Sequence, residues 1–114
     1  MWKDLAPSIY RQRLVIEGKP KIRIGSREIG RYLSGLSKVL GMKALIKPVT
    51  NRSIIYGWSG WIHWETSGAH FYSWDAPVGF FSCDIYACKR FGVAKAVKYT
   101  KEFFKADVIT FKQF

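Results

Sequence analysis

No uninterrupted run of about eighteen apolar residues occurs in this chain, so no segment reads as a membrane-spanning helix. The first ten residues, Met1 to Tyr10, lack the apolar h-region of a secretory leader, which sets the expectation of a cytoplasmic protein. Cysteine is scarce, limited to Cys83 and Cys88. Five residues apart on one strand, these two would point to opposite sides, which disfavours a bridge and agrees with reduced intracellular thiols. With His63 and His70 they form no C-x2-C or H-x3-H pair, so no metal site is expected. The chain has neither G-x-G-x-x-G nor a Walker sequence, which removes the dinucleotide-binding and P-loop classes. Lys and Arg are missing altogether from residues 58–87, although the formal net charge of the whole is +11.

What is present is enough for one domain, residues 1–114. A folded monomer of 13.2 kDa exposes about 6,400 Å² and encloses one core, not two. A content of 48% hydrophobic and 17% aromatic residues excludes a disordered chain. The charge is partitioned along the sequence: residues 1–57 carry +9, residues 58–87 carry −3 and residues 88–114 carry +5. The base-free block also holds Trp58, Trp61, Trp64 and Trp74, together with Glu65, Asp75 and Asp84. Nucleic-acid sites usually interleave cations with aromatics. An aromatic, acidic segment suits a cationic small molecule better, so nucleic acid ranks last among the partners. The plainer reading is that these residues are core strands, which exclude lysine.

Hydropathy spacing predicts strands over Tyr10 to Glu17, Met42 to Val49, Trp58 to Glu65, Ala69 to Trp74, Gly79 to Ala87 and Asp107 to Phe111. Asn51 to Gly57 reads as a turn-rich join, and Thr66-Ser67-Gly68 as the turn between two strands. Helices are expected from Ser26 to Leu40, with the stop at Gly41, and from Val93 to Phe104. The order β-α-β-β-β-β-α-β describes an α+β two-layer sandwich, a mainly antiparallel sheet with two helices on one face. Gly35 falls inside the first helix and weakens it by roughly 1 kcal/mol relative to Ala. His63 alternates with Trp61 and Glu65 and is expected to be packed or hydrogen-bonded. Cys83 is expected in the core.

A serine in a turn is usually a turn former, but a strained turn can also aim a hydroxyl at the preceding carbonyl. At this point the sequence resembles a known family. Gly60-Trp-Ile-His-Trp-Glu-Thr-Ser67 is similar to the strand that leads to the self-cleavage serine of the small prokaryotic S-adenosylmethionine decarboxylases. Tyr72-Ser73-Trp74 falls where that family has His-Thr-Trp, and Phe80 to Cys88 resembles its Asp-Val-Phe-Thr-Cys strand. The resemblance implies a pyruvoyl enzyme. The serine hydroxyl attacks the carbonyl before it, β-elimination splits the chain, and the former serine becomes a pyruvoyl group whose carbonyl withdraws electrons as the substrate carboxylate leaves. Carried over by position, Thr66–Ser67 is the cleavage site and Ser67 the pyruvoyl precursor. Cys88 matches the thiol that reprotonates the substrate carbon, and Ser59 matches a serine that assists cleavage. Asp75 falls near an acidic residue that holds the substrate ribose, with Glu65 and Trp74 completing the substrate-binding set. Tyr72 stands at the processing histidine, for which His70 is a substitute on the same strand face. The family's Glu-Ser-His junction is Thr66-Ser67-Gly68 here.

The resemblance also implies a homodimer with sites at the subunit contact, no metal, and a place in spermidine synthesis. S-adenosylmethionine, arginine and ornithine remain open as substrates. The alternative function is that of an unprocessed homologue, catalytically degenerate, acting as a binding or regulatory module.

Overall fold

A computed structural model describes all residues, Met1–Phe114. The elements are β1 (Gln12–Lys19), α1 (Ser26–Val39), β2 (Val49–Ser53), β3 (Gly57–Trp64), β4 (Ser67–Trp74), β5 (Phe80–Ala87), α2 (Val93–Phe104) and β6 (Val108–Gln113). The six strands form one antiparallel sheet in the order β2-β3-β4-β5-β1-β6. The expected α+β sandwich and its element order are both present. No helix is long and apolar enough to cross a membrane.

Alternation decides which sheet face is covered. Leu14 and Ile16 of β1, Ile62 and Trp64 of β3, Ala69 and Phe71 of β4, and Phe81, Cys83 and Ile85 of β5 are buried. Against them α1 turns Ile29, Tyr32, Leu33 and Leu36, and α2 turns Ala96, Thr100 and Phe104. These positions recur at three- and four-residue spacing, so burying that stripe drives both helices onto one face. Tyr32 sits at the centre. Its ring is 4.7 Å from that of Phe104 and its hydroxyl is 2.7 Å from Thr100 Oγ1, so its polar tip is satisfied. Trp64 Nε1 donates to Ser37 Oγ at 2.7 Å, which ties sheet to helix. At Gly60 the helix comes closest to the sheet: a Cβ there would lie 2.6 Å from Ile29 Cγ2.

Two expectations about local structure are corrected. Met42 to Val49 is not a strand. Its one isolated bridge to the sheet pairs Ala44 with Trp64, and the edge strand instead begins at Val49 and runs through Ser53, into the stretch expected to be a join. Pro48 has no N–H for a ladder, so regular pairing starts only beyond it. Ser67, moreover, is not a turn residue. The β3–β4 hairpin turns on Glu65-Thr66 alone, and Ser67 opens β4, opposite Trp64 on one side and Ala87 on the other.

Candidate active site

The hairpin end carries the residues expected at the cleavage point. The Cys88 amide donates to the Thr66 carbonyl at 2.9 Å, so the chain leaving β5 touches the peptide unit that links Thr66 to Ser67. Ser67 Oγ lies 3.1 Å from Thr66 Oγ1 and 3.8 Å from Met42 Sδ. Neither Thr66 nor Ser67 has a left-handed backbone, so the strain expected there is absent; regular strand pairing holds Ser67 in place instead. Lys89 Nζ donates to the Gly41 carbonyl at 2.7 Å and pins the loop after α1 beside this end. Glu65 points outward, with an oxygen 3.4 Å from Lys43 Nζ.

The sheet face that the helices leave uncovered is where polar and aromatic side chains collect. A cavity of about 670 Å³ opens on it, bordered by Ser67, Gly68, His63, His70, Arg13 and Asp84. Arg13 holds Asp84 in a bidentate pair, with Nε–Oδ1 at 3.1 Å and Nη2–Oδ2 at 2.8 Å. The Asp84 carboxylate holds the Arg13 guanidinium above its usual range. His70 stands opposite Asp84 in the β4–β5 register. From His70 an aromatic ladder runs along the face: Trp61 to one side at 6.1 Å, Tyr72 to the other at 6.4 Å, then Trp74 and Phe80. Such a surface offers π-faces to a cationic ligand, while the Asp84 carboxylate is already taken up by Arg13.

The remaining expected residues lie elsewhere. Ser59 stands opposite Tyr72 in the β3–β4 register, and Asp75 follows β4 at its far end, its amide bonded to the Tyr56 carbonyl at 2.9 Å. Ser67 and Tyr72 are five strand residues apart, which is about 17 Å along the chain. Within one chain the candidates therefore separate into two groups: Thr66, Ser67 and Cys88 at one end, and Ser59, Tyr72, Trp74 and Asp75 at the other. The alternation that buries Ala69 and Phe71 puts Ser67 on the helix-side parity of β4 and His70 and Tyr72 on the opposite one.

His63 corrects the sequence reading. It is exposed, has no hydrogen bond that would fix it, and borders the same cavity as Ser67, opposite Gly68 in register. Arg13, Asp84 and Tyr86 were not anticipated as site residues either. Their strand positions alternate with the buried Leu14 and Ile85, and that parity is the only signal that could have found them. Cys83 and Cys88 are both free thiols, the first buried and the second exposed. Burial pushes the Cys83 thiol up to about 12, which keeps it protonated and inert at neutral pH.

The fold defined by this sheet and its two helices is that of the adenosylmethionine decarboxylases. The crystal structure of the adenosylmethionine decarboxylase from Aquifex aeolicus VF5 superposes with a TM-score of 0.68, at 13% sequence identity, covering 93% of this chain and 89% of that one. The family model for S-adenosylmethionine decarboxylase matches residues 20–114, and the chain belongs to that family. No curated protein sequence matches it.

Proposed function

We propose that this protein decarboxylates S-adenosylmethionine, in the route to spermidine, through a pyruvoyl group made from its own Ser67. The observation that carries this reading is the hydrogen bond from the Cys88 amide to the Thr66 carbonyl. Ser67 Oγ must add to that carbonyl carbon. The negative charge that then develops on the oxygen falls on an amide donor already in place, and removing such a donor typically slows acyl transfer about 10²–10³-fold. Collapse breaks the Thr66–Ser67 C–N bond and leaves an ester. Loss of the Ser67 α-proton expels the Thr66 carboxylate, and hydrolysis of the remaining enamine releases ammonia. The donor set therefore fits a pyruvoyl terminus at residue 67. That group supplies an electron-withdrawing carbonyl to the substrate amine. The thiol of Cys88, an exposed residue whose amide meets the same bond, is the proton donor to the substrate carbon. The aromatic ladder receives the sulfonium-bearing part.

The separation of the site residues supports a homodimer. A second copy laid antiparallel, with the Tyr72 end of one chain beside the Ser67 end of the other, would bring Ser59, Tyr72 and Asp75 toward Ser67 and Cys88 of its partner. The exposed surface of 7491 Å² supports it too. It exceeds the area expected of a compact monomer of this mass by about 1,000 Å², comparable to the roughly 800 Å² that each partner loses in a standard interface.

One observation favours the second reading, an unprocessed homologue that binds without turnover. The hydrogen-bond partners of Ser67 Oγ are a hydroxyl and a thioether, neither of which is a base. Denaturing mass spectrometry separates the two readings. Cleavage yields pieces of 66 and 48 residues, and Ser67→Ala stays whole. A single 13.2 kDa species after prolonged incubation overturns the enzyme reading and leaves the binding module. Cys88→Ala keeps the amide and so is expected to cleave, while losing decarboxylation. Turnover in that variant would remove Cys88 as the proton donor.

A further inference from the structure

Seven of the nineteen Lys and Arg residues lie on the helix layer opposite the open sheet face, with only Glu28 and Glu102 among them. The exposed residues of α1 are Arg27, Arg31, Ser34 and Lys38. Those of α2 are Ala94, Lys95, Lys98, Lys101 and Glu102, and Lys105 follows at its C-cap. None of these cations is neutralised by a partner. The ion pairs of the molecule are Arg11–Asp4, Arg13–Asp84, Lys21–Asp107 and Lys43–Glu65. The two helices lie side by side, joined where the Tyr99 hydroxyl donates to the Tyr32 carbonyl at 2.9 Å. The two rows of cations thus form one surface. Lys98, Lys101 and Lys105 also border a concavity of about 570 Å³, together with Glu102 and the Lys21–Asp107 ion pair.

The spacing and the composition of this surface select its ligand. Lys95, Lys98, Lys101 and Lys105 recur in steps of three and four residues, so they stay on one side of α2 and extend about 15 Å along it. No exposed aromatic accompanies them: Tyr32 and Phe104 are buried, and Tyr99 and Phe103 are half-buried in the core. Single-stranded nucleic acid is gripped by stacking bases on aromatic side chains. A row of unpaired cations without aromatics grips phosphates alone. The segregation of aromatics from cations along the sequence is thus also a segregation in space: two faces, for two different ligands.

We infer that the α1–α2 face is a docking surface for the phosphate backbone of a nucleic-acid duplex, held by Arg27, Arg31, Lys95, Lys98, Lys101 and Lys105. It reads no bases, so it is indifferent to sequence, and duplex DNA and duplex RNA bind alike. Engaging about six phosphates gives an affinity that falls on the order of 10³-fold between about 50 and 200 mM salt.

The test is fluorescence anisotropy of the full chain with labelled duplexes of about 20 base pairs, with the matching single strand and anionic phospholipid vesicles as competitors. Lys98→Glu/Lys101→Glu is compared with Lys3→Glu/Lys112→Glu, which changes the net charge equally but lies off the helix layer. The helix double is expected to weaken duplex binding at least tenfold and to reduce the salt slope by about two. The other double is expected to stay within about threefold of the parent. Equal weakening by both doubles would reduce the effect to net charge and overturn the site. So would a salt-independent affinity, tighter binding to single strands or vesicles, or no duplex binding at about 50 mM salt. None of the four lysines belongs to the decarboxylase site, so failure here leaves the cleavage experiment untouched.

Discussion

Gly35 sits in the middle of α1, where a glycine costs a helix about 1 kcal/mol relative to alanine. Its neighbour across the helix pair explains it. A Cβ at position 35 would lie 2.1 Å from Tyr99 Oη. The Tyr99 ring is stacked on Tyr32 at 5.4 Å and its hydroxyl is bonded to the Tyr32 carbonyl, so it has little room to give way. Gly35→Ala, which propensity alone would make stabilising, is therefore expected to lower stability by about 1–3 kcal/mol. Urea unfolding measures it, and a gain in midpoint would mean that Tyr99 moves freely. The glycine was legible in the sequence; the tyrosine it makes room for, sixty-odd residues away, was not. His63 teaches the same lesson. Its parity with Trp61 could be read from the chain, but whether that parity meant core or cavity depended on which sheet face the helices cover.

Among the elements, α2 matches its expected limits because periodic apolar positions and Gly92 define it locally. The edge strand β2 was misplaced because an edge is set by what its neighbour offers. Gly57 to Trp61 of β3 pair with Val49 to Ser53, and that partnership outweighs the turn-forming character of Asn51 and Ser53. Ser67 moved from turn to strand for a similar reason, since β5 supplies a ladder on its other side. The sheet and α1 meet at Trp64 and Ser37. In Trp64→Phe the hydrogen bond is lost, but Ser37 Oγ keeps the Leu33 carbonyl at 2.8 Å, so no buried polar group is orphaned. The expected loss is accordingly modest, about 1–2 kcal/mol, with an unchanged denaturant slope. An unchanged midpoint would show that the link contributes nothing.

On the scale of the molecule, the tyrosine and cysteine buried between sheet and helices make alkali the destabilising direction. Burial raises Cys83 from 9.0 to about 12 and Tyr99 from 10.0 to about 12, and it pushes Tyr32 well above the ordinary phenol value. The unfolded chain loses these protons first, so it binds fewer than the folded one above pH 9. Stability is then full below pH 9 and falls as pH rises toward about 12. Urea midpoints at pH 7, 9 and 10.5 should decline in that order, and a flat profile would contradict the burial of these groups. The proposed shared site makes a different kind of prediction. Tyr72→Ala and Ser67→Ala chains, each uncleaved alone, should regain cleavage of the Tyr72→Ala chain when mixed and reassembled. Dimers that form but stay whole would place the site within a single chain.

Composition, periodicity and spacing settled the α+β class and the order of the elements, because those rest on local preference and on residues near in sequence. Which face of the sheet stays open was decided by tertiary packing, since both helices bury their apolar stripes on the same side. That one choice exposes His63, His70, Asp84 and Arg13 together and collects the cations of α1 and α2 on the opposite side.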